Sequence, residues 1–247
     1  MTGLAERREG DGPPVLLLHG GLLSGDMAWT AQSPLAERWT LVRVDRVGYG
    51  ASAGLGETED FDRDTELLAP ALETGTHLVG WSSGGVAAML VAARRPDAVA
   101  SLTLIEPPVF HVAADSAAAR ELLHRGQAHW ARQEGDEVEW VRDFFALFGT
   151  EAPPDEVLDG LRDHARAWRG IARRPWDVHL PLGPLAAARF PKLVLSGGYS
   201  DGFEDVCDVL AARLGAERDV IEGAGHAVQM TGAPFNERLE RLLGASP

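Results

Sequence analysis

The chain has 247 residues, 45% of them hydrophobic, and a formal net charge of −14 at pH 7. That length suits one large α/β domain with a substantial core, and the acidic balance argues against nucleic acid and anionic membrane surfaces, which need clustered Lys and Arg. A single cysteine, Cys207, excludes an intrachain disulfide. With no apolar signal-like stretch in Met1 to Pro14 and no run of membrane-spanning length, a cytoplasmic protein is the expectation.

In chain order, Leu4–Arg8 reads as a first strand, turned back by Gly10-Asp11-Gly12-Pro13-Pro14 into Val15-Leu16-Leu17-Leu18. Leu41-Val42-Arg43-Val44 is the next short strand. The turn-rich Asp45-Arg46-Val47-Gly48-Tyr49-Gly50-Ala51-Ser52 follows, then a helix near Arg63–Leu72. His77-Leu78-Val79 is apolar and strand-like, and Val86 to Arg94 is helical. Between them stands Gly80-Trp81-Ser82-Ser83-Gly84, a G-x-S-x-G in strand–turn–helix context. That arrangement lifts a serine hydroxyl out of the backbone as a nucleophile. The turn leaves no room for side chains two positions either side of the serine, so Ser82 fits the frame. Centring on Ser83 would put Trp81 where a glycine is needed.

Val99 to Ile105 and Lys192 to Ser196 read as continuous apolar strands. Arg218 to Ile221 is a last short strand, and Phe235–Leu243 a closing amphipathic helix. Buried runs alternating with helices predict an α/β fold, a mostly parallel sheet flanked by helices on both faces. Residues 107–190 break the alternation. They hold helical stretches at Ser116–Gln133, Glu137–Phe148 and Asp155–Arg173, the last entered through Pro153-Pro154. This predicts a helical cap on a core of residues 1–106 and 191–247, placed over the strand ends where ligands bind. The cap carries Trp130, Trp140, Phe144, Phe145, Phe148, Trp168 and Trp176. Most of these rings are expected to pack the cap together. A few must face the cavity beneath, and Trp81, Trp130 and Trp140 are taken as substrate-binding.

With these pieces in place the chain resembles the α/β-hydrolase superfamily, in its serine hydrolase form with a helical lid. The resemblance covers essentially the whole chain. His19-Gly20-Gly21 with Trp29 downstream is similar to the family's HG-x loop and following tryptophan. Asp45 to Ser52 is similar to its D-x-x-G-x-G-x-S segment, and Gly223-Ala224-Gly225-His226 lies where the family keeps its histidine. A serine hydroxyl is a poor nucleophile, so an imidazole must take its proton. His226 is the candidate base. Charge on the substrate oxygen needs fixed donors: the Ser83 N–H, and the N–H of Gly21 or, if the loop is offset, Leu22. His19 is expected to shape this loop. His77, His111, His124, His129, His164 and His179 show no metal-ligand spacing, so neither a metal nor another cofactor is implied.

Two residues compete for the acid. The family usually places it in a G-x-x-D-like turn after the strand that follows the cap. In Leu195-Ser196-Gly197-Gly198-Tyr199-Ser200-Asp201 a count from Gly197 lands on Ser200 and only Gly198 puts Asp201 in frame. Glu106 instead ends the strand after the nucleophile helix, the acid position of part of the haloalkane dehalogenase family. Behind a fully apolar run its ionised side chain needs a strong partner such as His226. Glu106 is preferred and Asp201 is the alternative; their plainer roles would be a loop brace and a helix N-cap.

A serine nucleophile turns the expectation away from the aspartate chemistry of dehalogenases and epoxide hydrolases. The resemblance implies hydrolysis of a small to medium hydrophobic ester, thioester or lactone through an acyl-enzyme. A cofactor-free lyase, a C–C bond hydrolase and a small-molecule receptor with a slow or vestigial triad remain the alternatives on this fold.

Overall fold

The most apolar runs of the chain become the middle of a sheet. The computed structural model describes residues 3–56, 58–132, 134–150 and 152–245. Its elements are β1 (Glu6–Glu9), β2 (Pro14–Leu18), α1 (Gly25–Trp29), β3 (Thr40–Val44), α2 (Phe61–Ala71), β4 (Thr76–Trp81), α3 (Ser83–Arg94) and β5 (Val99–Ile105). Then come α4 (Ala117–Ala131), α5 (Glu137–Leu147), α6 (Asp155–Gly160), α7 (Arg162–Arg169) and α8 (Leu182–Ala187). The chain closes with β6 (Lys192–Ser196), α9 (Asp201–Leu214), β7 (Glu217–Val220) and α10 (Ala233–Ala245).

Among the described residues seven strands form one sheet in the order β1-β3-β2-β4-β5-β6-β7. All neighbours are parallel except the β1–β3 pair. The predicted α/β class, with a mostly parallel sheet covered on both faces, is what forms. Successive side chains point to opposite faces. Leu16 and Leu18 therefore join one buried cluster with α2, α3 and α9, while Val15 and Leu17 join a second with Trp29, Trp39 and Phe235 of α10. The two edge strands, Glu6-Arg7-Arg8-Glu9 and Glu217-Arg218-Asp219-Val220, are polar and half-exposed, which discourages further strand pairing.

Several boundaries differ from the sequence expectation. The first strand starts at Glu6 rather than Leu4, because Leu4 turns into the core. The last strand is Glu217–Val220, one residue early. The helix expected over Asp155–Arg173 is two helices, α6 and α7, broken at Leu161 beside the helix-weak Gly160 and ending before Gly170. Gln133, the last residue of another expected helix, lies outside the described residues. Short helices α1 and α8 went unread, being too brief to show a period.

Between β5 and β6 the described residues hold helices and no strand. Their interior is aromatic: Trp130 meets Trp140, Trp168 and Trp176 edge-on at 5.1–5.3 Å. No helix among the described residues is long and apolar enough to cross a membrane.

Candidate active site

Ser82 sits between β4 and α3 at φ 53° and ψ −127°. A non-glycine residue there is strained. The elbow is held by the Ser82 N–H donating to Ile105 O at 2.8 Å and by close backbone packing. A Cβ at Gly84 would lie 2.2 Å from Leu18 O, and one at Gly80 would lie 2.4 Å from Gly84 O, so both positions require glycine.

His226 stands in the loop after β7. Its Nε2 is 3.0 Å from Ser82 Oγ and its Nδ1 is 2.7 Å from Glu106 Oε2. A carboxylate only accepts, so the proton lies on Nδ1 and Nε2 faces the serine as acceptor. Two further contacts place the imidazole. The Trp81 indole N–H donates to His226 O at 2.8 Å, and the Phe148 ring stacks on it, 5.4 Å away at 14°.

Glu106 is fully buried and, at φ 42°, in a left-handed conformation. Its Oε1 accepts the Gly197 N–H at 2.7 Å. The reason it reaches His226 is the register: β5 pairs with β6 through Ile105 and Leu195, so the residue after β5 lies beside the loop after β6. Asp201 is not brought to the histidine. It is exposed, in the first turn of α9, where its charge complements the helix dipole. It is not the N-cap either; that position belongs to Ser200. The loop after β6 is instead braced by Glu204, which accepts from Ser196 Oγ at 2.6 Å and from the Gly198 N–H at 3.1 Å.

The expected oxyanion donors flank Ser82. Ser83 opens α3, where the first N–H groups have no partner within the helix. Gly21 lies under the Trp168 ring of α7, which a Cβ would meet at 2.5 Å. Leu22 stands at φ 71°, with its carbonyl 2.9 Å from His164 Nδ1. The non-glycine residues with positive φ among the described residues are Leu22, Ser82 and Glu106, all at this one place. Such strain costs about 1–3 kcal/mol each and persists only where surroundings enforce it.

One enforcing element was not read from sequence. Arg46, fully buried, donates through Nη1 to His19 O at 3.1 Å and Ser83 Oγ at 3.0 Å, tying the loop after β2 to the start of α3. Its Nε meets Asp64 at 2.9 Å and its Nη2 meets Glu59 at 2.8 Å. Burial outweighs the ion pair at Asp64 and raises its pKa to about 6. Burial, aided by Arg46, lowers that of His19 to about 3. His19 is thus a neutral brace, accepting the Arg46 N–H on Nε2 and donating from Nδ1 to Gly20 O.

Over Ser82 lies a cavity of about 320 Å³. Trp81 lines it, together with Leu23, Phe144, Phe145, Phe148 and Leu161. Trp130 and Trp140 do not. Both are almost wholly buried inside the helical segment, where they pack on each other and on His129. Met230, in the turn after His226, also lines the cavity. The helical period of α5 hinted at Phe144, Phe145 and Phe148, but a period does not say which face looks at the sheet.

The chain matches the family model described as the alpha/beta hydrolase fold over residues 13–233 and belongs to that family. A stretch of 96 residues is 42% identical to pimeloyl-[acyl-carrier protein] methyl ester esterase of Chromobacterium violaceum, covering 39% of this chain and 37% of the relative. The match thus spans about two-fifths of that relative's length. Among solved structures, an alpha/beta hydrolase from Sphaerobacter thermophilus superposes with a TM-score of 0.69 at 25% identity, over 97% of this chain and 95% of that one. MenH from S. aureus superposes with a TM-score of 0.74 over 97% of both chains. At 20% identity that second likeness speaks to fold alone.

Proposed function

We propose that this α/β-hydrolase cleaves a hydrophobic carboxylic ester through an acyl-enzyme on Ser82. The observation that carries the reading is the unbroken line from Glu106 Oε2 through the His226 ring to Ser82 Oγ, at 2.7 and 3.0 Å. In the proposed reaction Ser82 Oγ attacks the ester carbonyl carbon while His226 Nε2 takes its proton. The carbonyl oxygen becomes an oxyanion, met by the N–H groups of Gly21 and Ser83; one such donor is worth about 3–4 kcal/mol of barrier. Collapse breaks the bond to the alcohol, which leaves with the proton from His226. Water, deprotonated by His226, then releases the acid and restores Ser82. Glu106 holds the imidazole in its Nδ1–H tautomer and offsets its transient positive charge.

The helical segment 107–190 is proposed to act as the lid that roofs this reaction. It supplies Phe144, Phe145 and Phe148 to the cavity, and these exclude water from the charged groups. The name of the Chromobacterium relative supports ester cleavage as the reaction class.

The test is a p-nitrophenyl ester series from acetate to dodecanoate, with Ser82→Ala beside it. The expected result is a burst of alcohol followed by steady turnover on at least one ester, absent in the variant. No Ser82-dependent release on any ester would overturn the reading in favour of C–C hydrolysis, a lyase or a receptor.

A further inference from the structure

Among the described residues four large apolar side chains stand more than two-fifths exposed: Met27 at 45%, Leu55 at 42%, Val157 at 47% and Met230 at 46%. Single exposed apolar side chains are ordinary and carry no meaning. Here three of the four, Met27, Val157 and Met230, line the same cavity above Ser82. They come from unrelated parts of the chain: α1 behind the His19–Gly21 loop, α6 in the helical segment, and the Val228–Thr231 turn after His226. Core packing does not account for such convergence, because these side chains are the ones the core leaves out.

The cavity is too small to hold a long substrate. At roughly 30 Å³ per non-hydrogen group, its 320 Å³ takes about ten such groups, enough for the ester and a short chain. Among the described residues its polar side chains, besides the Trp81 indole, are Ser82, His226 and Thr150, and the Thr150 hydroxyl already donates to Phe145 O at 2.9 Å. None of these described side chains is a lysine or arginine that would select an anionic chain end. Three acids flank the lip on a chain of net charge −14: Asp26 beside Met27, paired with Arg7 and Arg43, and Asp155 and Glu156 beside Val157, the first paired with Arg142. An anionic tail or surface is disfavoured there.

We propose that Met27, Val157 and Met230 form an outer subsite, the exposed lip of this cavity, that covers the uncharged aliphatic tail of a long ester. The subsite makes long-chain neutral esters the preferred substrate class. Two methionines suit this task, since an unbranched thioether conforms to a chain without one fixed shape. The inference rests on the ester-hydrolase reading of Ser82.

The experiment measures kcat/KM for p-nitrophenyl esters from butyrate to tetradecanoate, and for butyrates of methyl to decyl alcohols, all below their micelle-forming concentrations. In one of the two series the wild type is expected to gain about twofold per methylene beyond the cavity, half the increment of a fully buried methylene. In Met27→Gln/Val157→Gln/Met230→Gln that slope is expected to vanish. It is read against chain length, so a change in the shortest ester's rate cancels. Leu55→Gln, which removes the exposed apolar side chain away from the cavity, is expected to keep the wild-type slope.

An unchanged slope in the triple variant overturns the subsite while leaving the ester reading intact. A gain that appears only once micelles form overturns it in favour of a lipid surface. Preference for an ω-carboxylated ester overturns the neutral tail. Absence of any Ser82-dependent turnover in the wild type is instead the failure of the ester reading itself.

Discussion

Two buried arginines show how differently the sheet core and the helical segment are built. Arg46, beneath the loop after β2, spends every guanidinium nitrogen: on Asp64, on Glu59, and on His19 O and Ser83 Oγ together. Arg169, in α7, reaches Gly135 O through Nη1, and among the described residues its Nε and Nη2 find no hydrogen-bond partner. The same holds around it, among the described residues, for the Trp140 and Trp168 indole nitrogens and His129 Nε2. The first arginine sits in a network that specifies one arrangement. The second is held by rings, with its guanidinium 6.0 Å from the Trp140 ring centre. Directional bonds fix position, whereas aromatic packing tolerates sliding. The protein thus places its strict geometry at the strand ends and its tolerance in the roof.

This contrast can be broken or sharpened by experiment. Glu106→Gln is expected to cost about 10³–10⁴ in kcat for ester hydrolysis, as a wrongly held imidazole tautomer does elsewhere. Asp201→Asn is expected to stay near wild type; the reverse pattern would move the acid to the other strand end. Arg46→Met strands two buried carboxylates and should lower unfolding stability by about 3–5 kcal/mol, measured by urea denaturation. Arg169→Met removes a guanidinium already short of partners, so the same titration should shift by no more than about 1 kcal/mol in either direction. Equal losses in the two variants would erase the contrast.

Acid should separate the regions more gently. Burial holds His19 neutral, with a pKa of about 3, and His129 likewise, at about 4, against an ordinary value of 6.5. The native state then binds fewer protons than the unfolded chain between those values. Stability from each is full above about pH 6.5 and is lost as pH falls toward 3 or 4. Tm is expected to fall through that window. His19→Asn and His129→Asn should each flatten that fall; a variant whose Tm drops as steeply as the wild type's would show that acid does not act through that histidine.

Much of the site is visible in local sequence. The elbow at Ser82 is legible because backbone crowding admits only glycine at Gly80 and Gly84. Glu106 stands out in the sequence because a carboxylate directly after a buried strand requires a partner, but Asp201 competes with it there. The roof is a different matter. Trp130 and Trp140 looked as suited to the cavity as Phe144 and Phe148, since hydrophobicity and helical spacing are the same for a ring facing inward and a ring facing the ligand. Arg46 was hidden for another reason. Its partners His19, Glu59 with Asp64, and Ser83 come from three separate segments, and only their meeting shows the network.

What the sequence by itself determined is the family, the strand order along the chain and the elbow that presents Ser82, with His226 as the histidine expected to face it. These follow from constraints that act over a few residues: steric exclusion in a turn, alternation of burial, and the chemistry of one side chain. The tertiary structure alone decided which acid reaches His226, which rings line the cavity and which side chains form its lip. Each of those is a distance between residues far apart in the chain, fixed by sheet register and helix packing, and no local pattern encodes it.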